Sequence, residues 1–154
     1  MKPNLFDYNQ PGVALPEADS AVILRGLSSA EWDVLVGFAE PLRFAARECI
    51  LKAGDTGRAI YIVRSGKVRG EITDARGKRA TDAMGPGTVF GELAFFDGGP
   101  RSVTLFADDE VELWRLPFAA FERMAAWHPR IARELLLDLG RVLSQRLRRA
   151  EARR

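Results

Sequence analysis

Two side chains in the stretch FGELAFFDGGPRSVTL, Phe90 to Leu105, have the types and spacing to do chemistry. Glu92 is a carboxylate, and Arg101, nine residues on, is a guanidinium. Gly91 follows the strand-like TVF and precedes ELAFF, which reads as one helical turn. The start of a helix presents backbone N–H groups that have no intrahelical acceptor, and such a turn suits an anion. Arg101 adds a full positive charge and a two-pronged donor beside it. Glu92 repels phosphate; its natural partner is a hydroxyl. A ligand with one negative phosphate next to a free ribose hydroxyl is a 3′,5′-cyclic nucleotide, with Arg101 on the phosphate and Glu92 on the 2′-hydroxyl. The plainer reading is a salt bridge on a surface turn, worth under about 1 kcal/mol. On the residues alone, both readings stand.

The rest of the composition narrows the chemistry. His128 is the single histidine, so a three-histidine metal site cannot form. A serine or cysteine triad would have to use this residue, just before Pro129 at an apparent helix junction. No G-x-x-x-x-G-K-[ST] occurs, and no cysteine–histidine cluster has zinc spacing. With no catalytic group near Glu92 and Arg101, the chain is expected to bind rather than catalyse, without metal or cofactor. Cys49, the single cysteine, cannot make an internal disulfide, which suits a reducing compartment. Its setting, CILK, predicts a small core residue. No apolar run approaches the ~18 residues of a membrane helix, and the N-terminus lacks a signal-peptide pattern. The expected location is cytoplasmic. The 154 residues, 47% hydrophobic and 29% charged, predict one globular domain. The net charge of +2 is too small to imply nucleic-acid binding.

Several elements must position the pair. Residues 1–20, with prolines 3, 11 and 16, read as an irregular arm, and 21–154 as the domain. Ser28 followed by Glu31 is a capping box that opens a helix over about 29–39, stopped before Pro41. Between 42 and 116 the pattern changes to short apolar runs: LRFAAR, CILKA, AIYIV, KVRGEIT, KRATDAM, TVF, SVTLFA and VELWRL. Turn signals separate them, and DARG at 74–77 marks a hairpin. Close-spaced short strands predict an antiparallel sandwich or jelly roll. From Pro117 to about residue 150 the chain turns helical again, with Pro117 and Pro129 at helix starts. Ile131, Leu135, Leu136, Leu139, Val142, Leu143 and Leu147 form an apolar stripe. It reads as core and lid more than as the seam of a homodimer. Gly140 interrupts it.

At these residues the sequence resembles the cyclic nucleotide-binding domains of catabolite activator protein, the protein kinase A regulatory subunit and nucleotide-gated channels. FGELA at 90–94 and PRSVT at 100–104 match the family's phosphate-binding cassette, and the spacing between them fits. AGDTGRAIYIVRSGKVRG at 53–70 is similar to the family's strand–turn signature, and GPG precedes the cassette as it usually does. The resemblance covers about residues 21–150. It implies a mainly β fold with flanking helices: an antiparallel eight-stranded jelly-roll β-barrel, with an N-terminal helix and a C-terminal helical lid.

The resemblance also implies roles. Arg101 pairs with the cyclic phosphate, and Ser102 and the backbone N–H groups near Ala94 and Val103 bond its oxygens. Glu92, with backbone groups of Gly91 and Leu93, holds the ribose hydroxyl. Gly70, Thr81 and Asp82 form the barrel wall beside the base, and Val142 and Arg146 lie on the lid helix. Val103 stands where alanine or serine is commoner, and Gly70 where a bulkier apolar residue often packs on the base. The expected function is a regulatory module in signal transduction that binds cyclic AMP or cyclic GMP and moves its C-terminal helix. Closure of that helix over the base adds contacts only in the bound state.

Two other readings are open: a ligand-free interaction or dimerisation module of the same fold, and a nucleic-acid-binding regulator using RLRRAEARR. DNA binding is disfavoured, because the chain ends about 25 residues after Pro129, too soon for a helix-turn-helix to follow the long helix. The terminal arginines also read as a solvated helix end that favours the dipole. The effector domain or partner protein is left open.

Overall fold

The computed structural model describes residues 23–81 and 83–152, apart from the side chains at 72–74, 79 and 150. The proposed arm at 1–20, Asp82 and the last two arginines lie outside the described residues.

Helix α1 (Ser29–Phe38) starts at its capping box. The Ser28 hydroxyl accepts from the Glu31 N–H at 3.1 Å, and the Glu31 carboxylate accepts from the Ser28 N–H at 3.2 Å. Ala39 is already extended, so the chain runs straight into β1 (Glu40–Phe44). β1 carries Pro41 and is an edge strand, where a residue without an N–H is tolerated. There follow β2 (Cys49–Leu51), β3 (Ala59–Ser65), β4 (Val68–Asp74), β5 (Gly77–Ala80), β6 (Val89–Phe90), β7 (Thr104–Ala107) and β8 (Val111–Pro117). All eight expected strands form. They make two four-stranded antiparallel sheets, ordered β1-β8-β3-β6 and β2-β7-β4-β5. The DARG hairpin closes with Asp74 paired to Gly77.

The apolar run AIYIV explains the layering. β3 is buried on both faces, and its side chains alternate. Ala59, Tyr61 and Val63 pack between the sheets with Val68, Phe90, Leu105 and Leu113. Ile60 and Ile62 pack on the opposite face against the helices. Those helices are α1, α2 (Glu92–Asp97), α3 (Phe118–Trp127) and α4 (Pro129–Ala152). His128 is the junction between α3 and α4, its N–H bonded to the Met124 carbonyl at 2.7 Å. The leucine stripe divides. Ile131, Leu135, Leu139 and Val142 are buried in the core, Leu143 and Leu147 are half-buried, and Leu136 is exposed.

Three details differ from the sequence expectation. Cys49 is exposed rather than in the core. It lies on edge strand β2, whose register shifts by Leu51, and its thiol bonds the Leu51 carbonyl. The run KRATDAM is regular strand only through Ala80; Thr81 still bonds Gly70, and Met84 bridges to Val68. β7 begins at Thr104 rather than Ser102. Among the described residues no helix is long and apolar enough to cross a membrane, and no acidic, histidine or cysteine group is placed to hold a metal ion.

Candidate functional site

The cassette is a strand, a turn, a short helix and a return. β6 pairs with β3, placing Phe90 opposite Tyr61, and the two rings stack with centroids 5.0 Å apart. Gly91 then turns the chain with φ +86°. A Cβ there would lie 2.7 Å from the Arg101 guanidinium and 3.0 Å from the Ala59 carbonyl. Gly91 is therefore required both by its left-handed backbone and by close approach. α2 is pinned by Phe95, fully buried against Phe118 and Phe121 at 5.2 and 5.4 Å. At its other end Arg58 donates to the Phe95 and Phe96 carbonyls at 2.7 and 2.8 Å, which suits the negative end of a helix. Gly98 closes α2 in the left-handed conformation. The Gly99 N–H bonds the Asp97 carboxylate at 2.8 Å, so this segment acts as the turn former its composition suggests.

Arg101 returns the chain to the cleft, and its placement depends on the distant AGDTGRAIYIV segment. Its backbone N–H bonds the Asp55 carbonyl and its carbonyl accepts from the Gly54 N–H, each at 2.8 Å. Its side chain, with the residue only 7% exposed, donates to the carbonyls of Gly91 at 3.2 Å and Ala59 at 3.1 Å. The Tyr61 ring lies 5.5 Å away. Two of the five guanidinium donors serve those carbonyls, so capacity remains for an anion. Burial pulls the guanidinium below its ordinary basicity, opposed by Tyr61, reinforced by Arg115 and opposed by Glu92. A poorly hydrated cation of this kind favours an anionic partner.

Glu92 is 2% exposed and accepts from Arg146 of α4, which also donates to the Val89 carbonyl at 2.8 Å. Every cassette residue singled out from sequence lines one cleft of about 40 Å³: Gly91, Glu92, Leu93, Ala94, Arg101, Ser102 and Val103. Arg146, Leu51, Phe90 and Leu105 complete much of its wall. Gly70 and Thr81 do not line it, but they adjoin it. Gly70 pairs directly with Leu105, and paired residues project from the same face. Thr81 and Gly70 exchange hydrogen bonds, the Thr81 hydroxyl accepting from the Gly70 N–H at 2.9 Å. Val142 lies one turn before Arg146 and is buried in the helix–sheet core, away from this lining.

Sequence reasoning missed Gly54, Asp55, Ala59 and Tyr61 as the residues that hold Arg101, although it noted the segment containing them. The alternation of Ala59, Tyr61 and Val63 toward one face was the available signal. It named Arg146 as a lid position on the last helix, and the structure puts its guanidinium on Glu92.

A family profile for the cyclic nucleotide-binding domain matches residues 41–128. The chain belongs to that family. The cyclic AMP receptor protein of Thermus thermophilus is 32% identical over 84% of this chain and 58% of its own. The crystal structure of the Thermus thermophilus catabolite activator protein superposes with a TM-score of 0.73 at 32% identity, over 84% of this chain and 59% of that one. The regulatory domain of Toxoplasma gondii protein kinase A, co-crystallised with cyclic AMP, gives 0.55 at 28% identity, over 63% and 37%. The chain thus spans somewhat more than half the length of the bacterial relative. Its antiparallel jelly-roll sheets with flanking helices are those of the cyclic nucleotide-binding fold.

Proposed function

We propose that this cyclic nucleotide-binding domain, over residues 21–154, is a sensor module that takes cyclic AMP in the cleft between α2, Arg101 and α4. The carrying observation is that Glu92 and Arg101, both nearly inaccessible, line the same concavity. In the proposed complex Arg101 holds the cyclic phosphate, joined by the Ser102 hydroxyl and the N–H groups near Ala94 and Val103. Glu92, with backbone groups of Gly91 and Leu93, holds the 2′-hydroxyl. The base lies toward Leu105 and its cross-strand neighbour Gly70, with Thr81 beyond. The adenine form is favoured by the names of the relatives. The work of the site is binding, and the output is a movement of α4 relative to the sheets.

Because Arg146 of α4 lines the cleft, a ligand with differential affinity for two positions of the helix shifts their populations. The test is calorimetric titration of the chain with cyclic AMP and cyclic GMP. The expected result is saturable one-to-one binding, tighter for cyclic AMP. Binding of neither would leave the fold as an interaction module and overturn the sensor reading.

A further inference from the structure

Arg146 stands where a ligand must go. Its side chain is 7% exposed and that of Glu92 3%, so the two form a buried ion pair at the hydroxyl end of the cleft. The same guanidinium ties α4 to the Val89 carbonyl at 2.8 Å. With Arg146 in its wall the cleft measures about 40 Å³, whereas pockets for small molecules run to about 300–1,000 Å³. A nucleotide therefore enters only if a wall moves.

The wall best built to move is the end of α4. The helix is anchored in the core through Val142. Past that anchor the Ser144 hydroxyl bonds back to the Gly140 carbonyl at 2.9 Å, a contact that often bends helices. Beyond this point Arg148 is exposed, and Arg146 provides a buried attachment.

We propose that Arg146 is a latch: it holds the last turns of α4 across the cleft, and a ligand gains entry by exchanging its hydroxyl for Arg146 on Glu92, with α4 yielding beyond Val142. This rests on the assignment of Glu92 to the ribose hydroxyl. The binding-competent form is then the unlatched fraction, and the apparent affinity is reduced by that fraction.

Hydrogen exchange on the full chain tests the latch without any nucleotide. In Arg146→Gln, which keeps a polar side chain but shortens it and removes its charge, amides at 143–152 exchange about tenfold faster than in the wild type. Titration with cyclic AMP and cyclic GMP shows apparent affinity about tenfold tighter. Arg146→Ala does the same if it folds, as checked by its melting curve, and Arg148→Ala changes neither readout. Unchanged exchange in Arg146→Gln overturns the latch. So does unchanged or weaker nucleotide binding, and weaker binding would make Arg146 a ligand contact instead. If the wild type binds neither nucleotide, the function proposed above fails, while the exchange comparison still decides whether Arg146 holds α4.

Discussion

Two concave regions of this fold each join arginine to a carboxylate, and only one hides them from water. On the β2-β7-β4-β5 sheet, a shallow cleft is lined by Arg47, Arg69, Glu71 and Asp108. There Arg69 grips both oxygens of Asp108 at 3.1 Å and also bonds the Thr81 carbonyl at 2.8 Å. Both charged side chains are more than a third exposed. In the cassette cleft, Arg101 rests on main-chain carbonyls and Glu92 on a side chain from a distant helix. The surface pair is neutralised within itself and hydrated. The cassette holds a buried cation on neutral carbonyls, an arrangement with donor capacity left for an anion. Ion pairing alone therefore does not mark a binding site; burial combined with unequal pairing does.

The largest effect that sharpens the contrast is Arg101→Ala. It should weaken cyclic nucleotide binding by about 2–5 kcal/mol, roughly 30-fold to several thousand-fold, as read by calorimetry. Affinity equal to the wild type would remove Arg101 from the site. Next comes Glu92→Gln. The wild type should prefer cyclic AMP over its 2′-deoxy form by about tenfold, the value of a hydrogen bond to a charged acceptor, and the variant should lose most of that preference. Equal binding of the two ligands by the wild type would make the hydroxyl assignment wrong.

The smallest effect belongs to the surface cleft. The hydrogen bond from Arg69 holds the Asp108 carboxyl below its ordinary value. A depressed folded-state pKa contributes stability that is present above the unfolded value of about 3.8 and is lost as pH falls through the folded value. Solvent screening keeps the contribution under about 1 kcal/mol. Asp108→Asn should lower the melting temperature slightly at neutral pH and lose that deficit in acid. A large neutral-pH loss would show that the two clefts differ less than their exposure suggests.

Local signals carried most of the fold. The Ser28–Glu31 box, the double-sided run AIYIV, the DARG hairpin and the prolines at helix starts each act within a few residues, so the chain displays them directly. The cassette reads the same way, since Gly91, Glu92 and Arg101 lie within eleven consecutive residues. What remained hidden depends on contacts between distant parts of the chain. Nothing in AGDTG announces that Gly54 and Asp55 clamp the Arg101 backbone, and the leucine stripe gives no hint that Arg146 reaches back 54 residues to Glu92. Cys49 looked like core because its neighbours are apolar. Its exposure is set by an irregular edge pairing, which sequence alternation does not reveal.

The most direct test sets the two clefts side by side: calorimetric titration of cyclic AMP into Arg101→Ala and Arg69→Ala under identical buffer and salt. Arg101→Ala should lose most of its affinity, while Arg69→Ala binds as the wild type does. Equal losses, or no loss in Arg101→Ala, would contradict that.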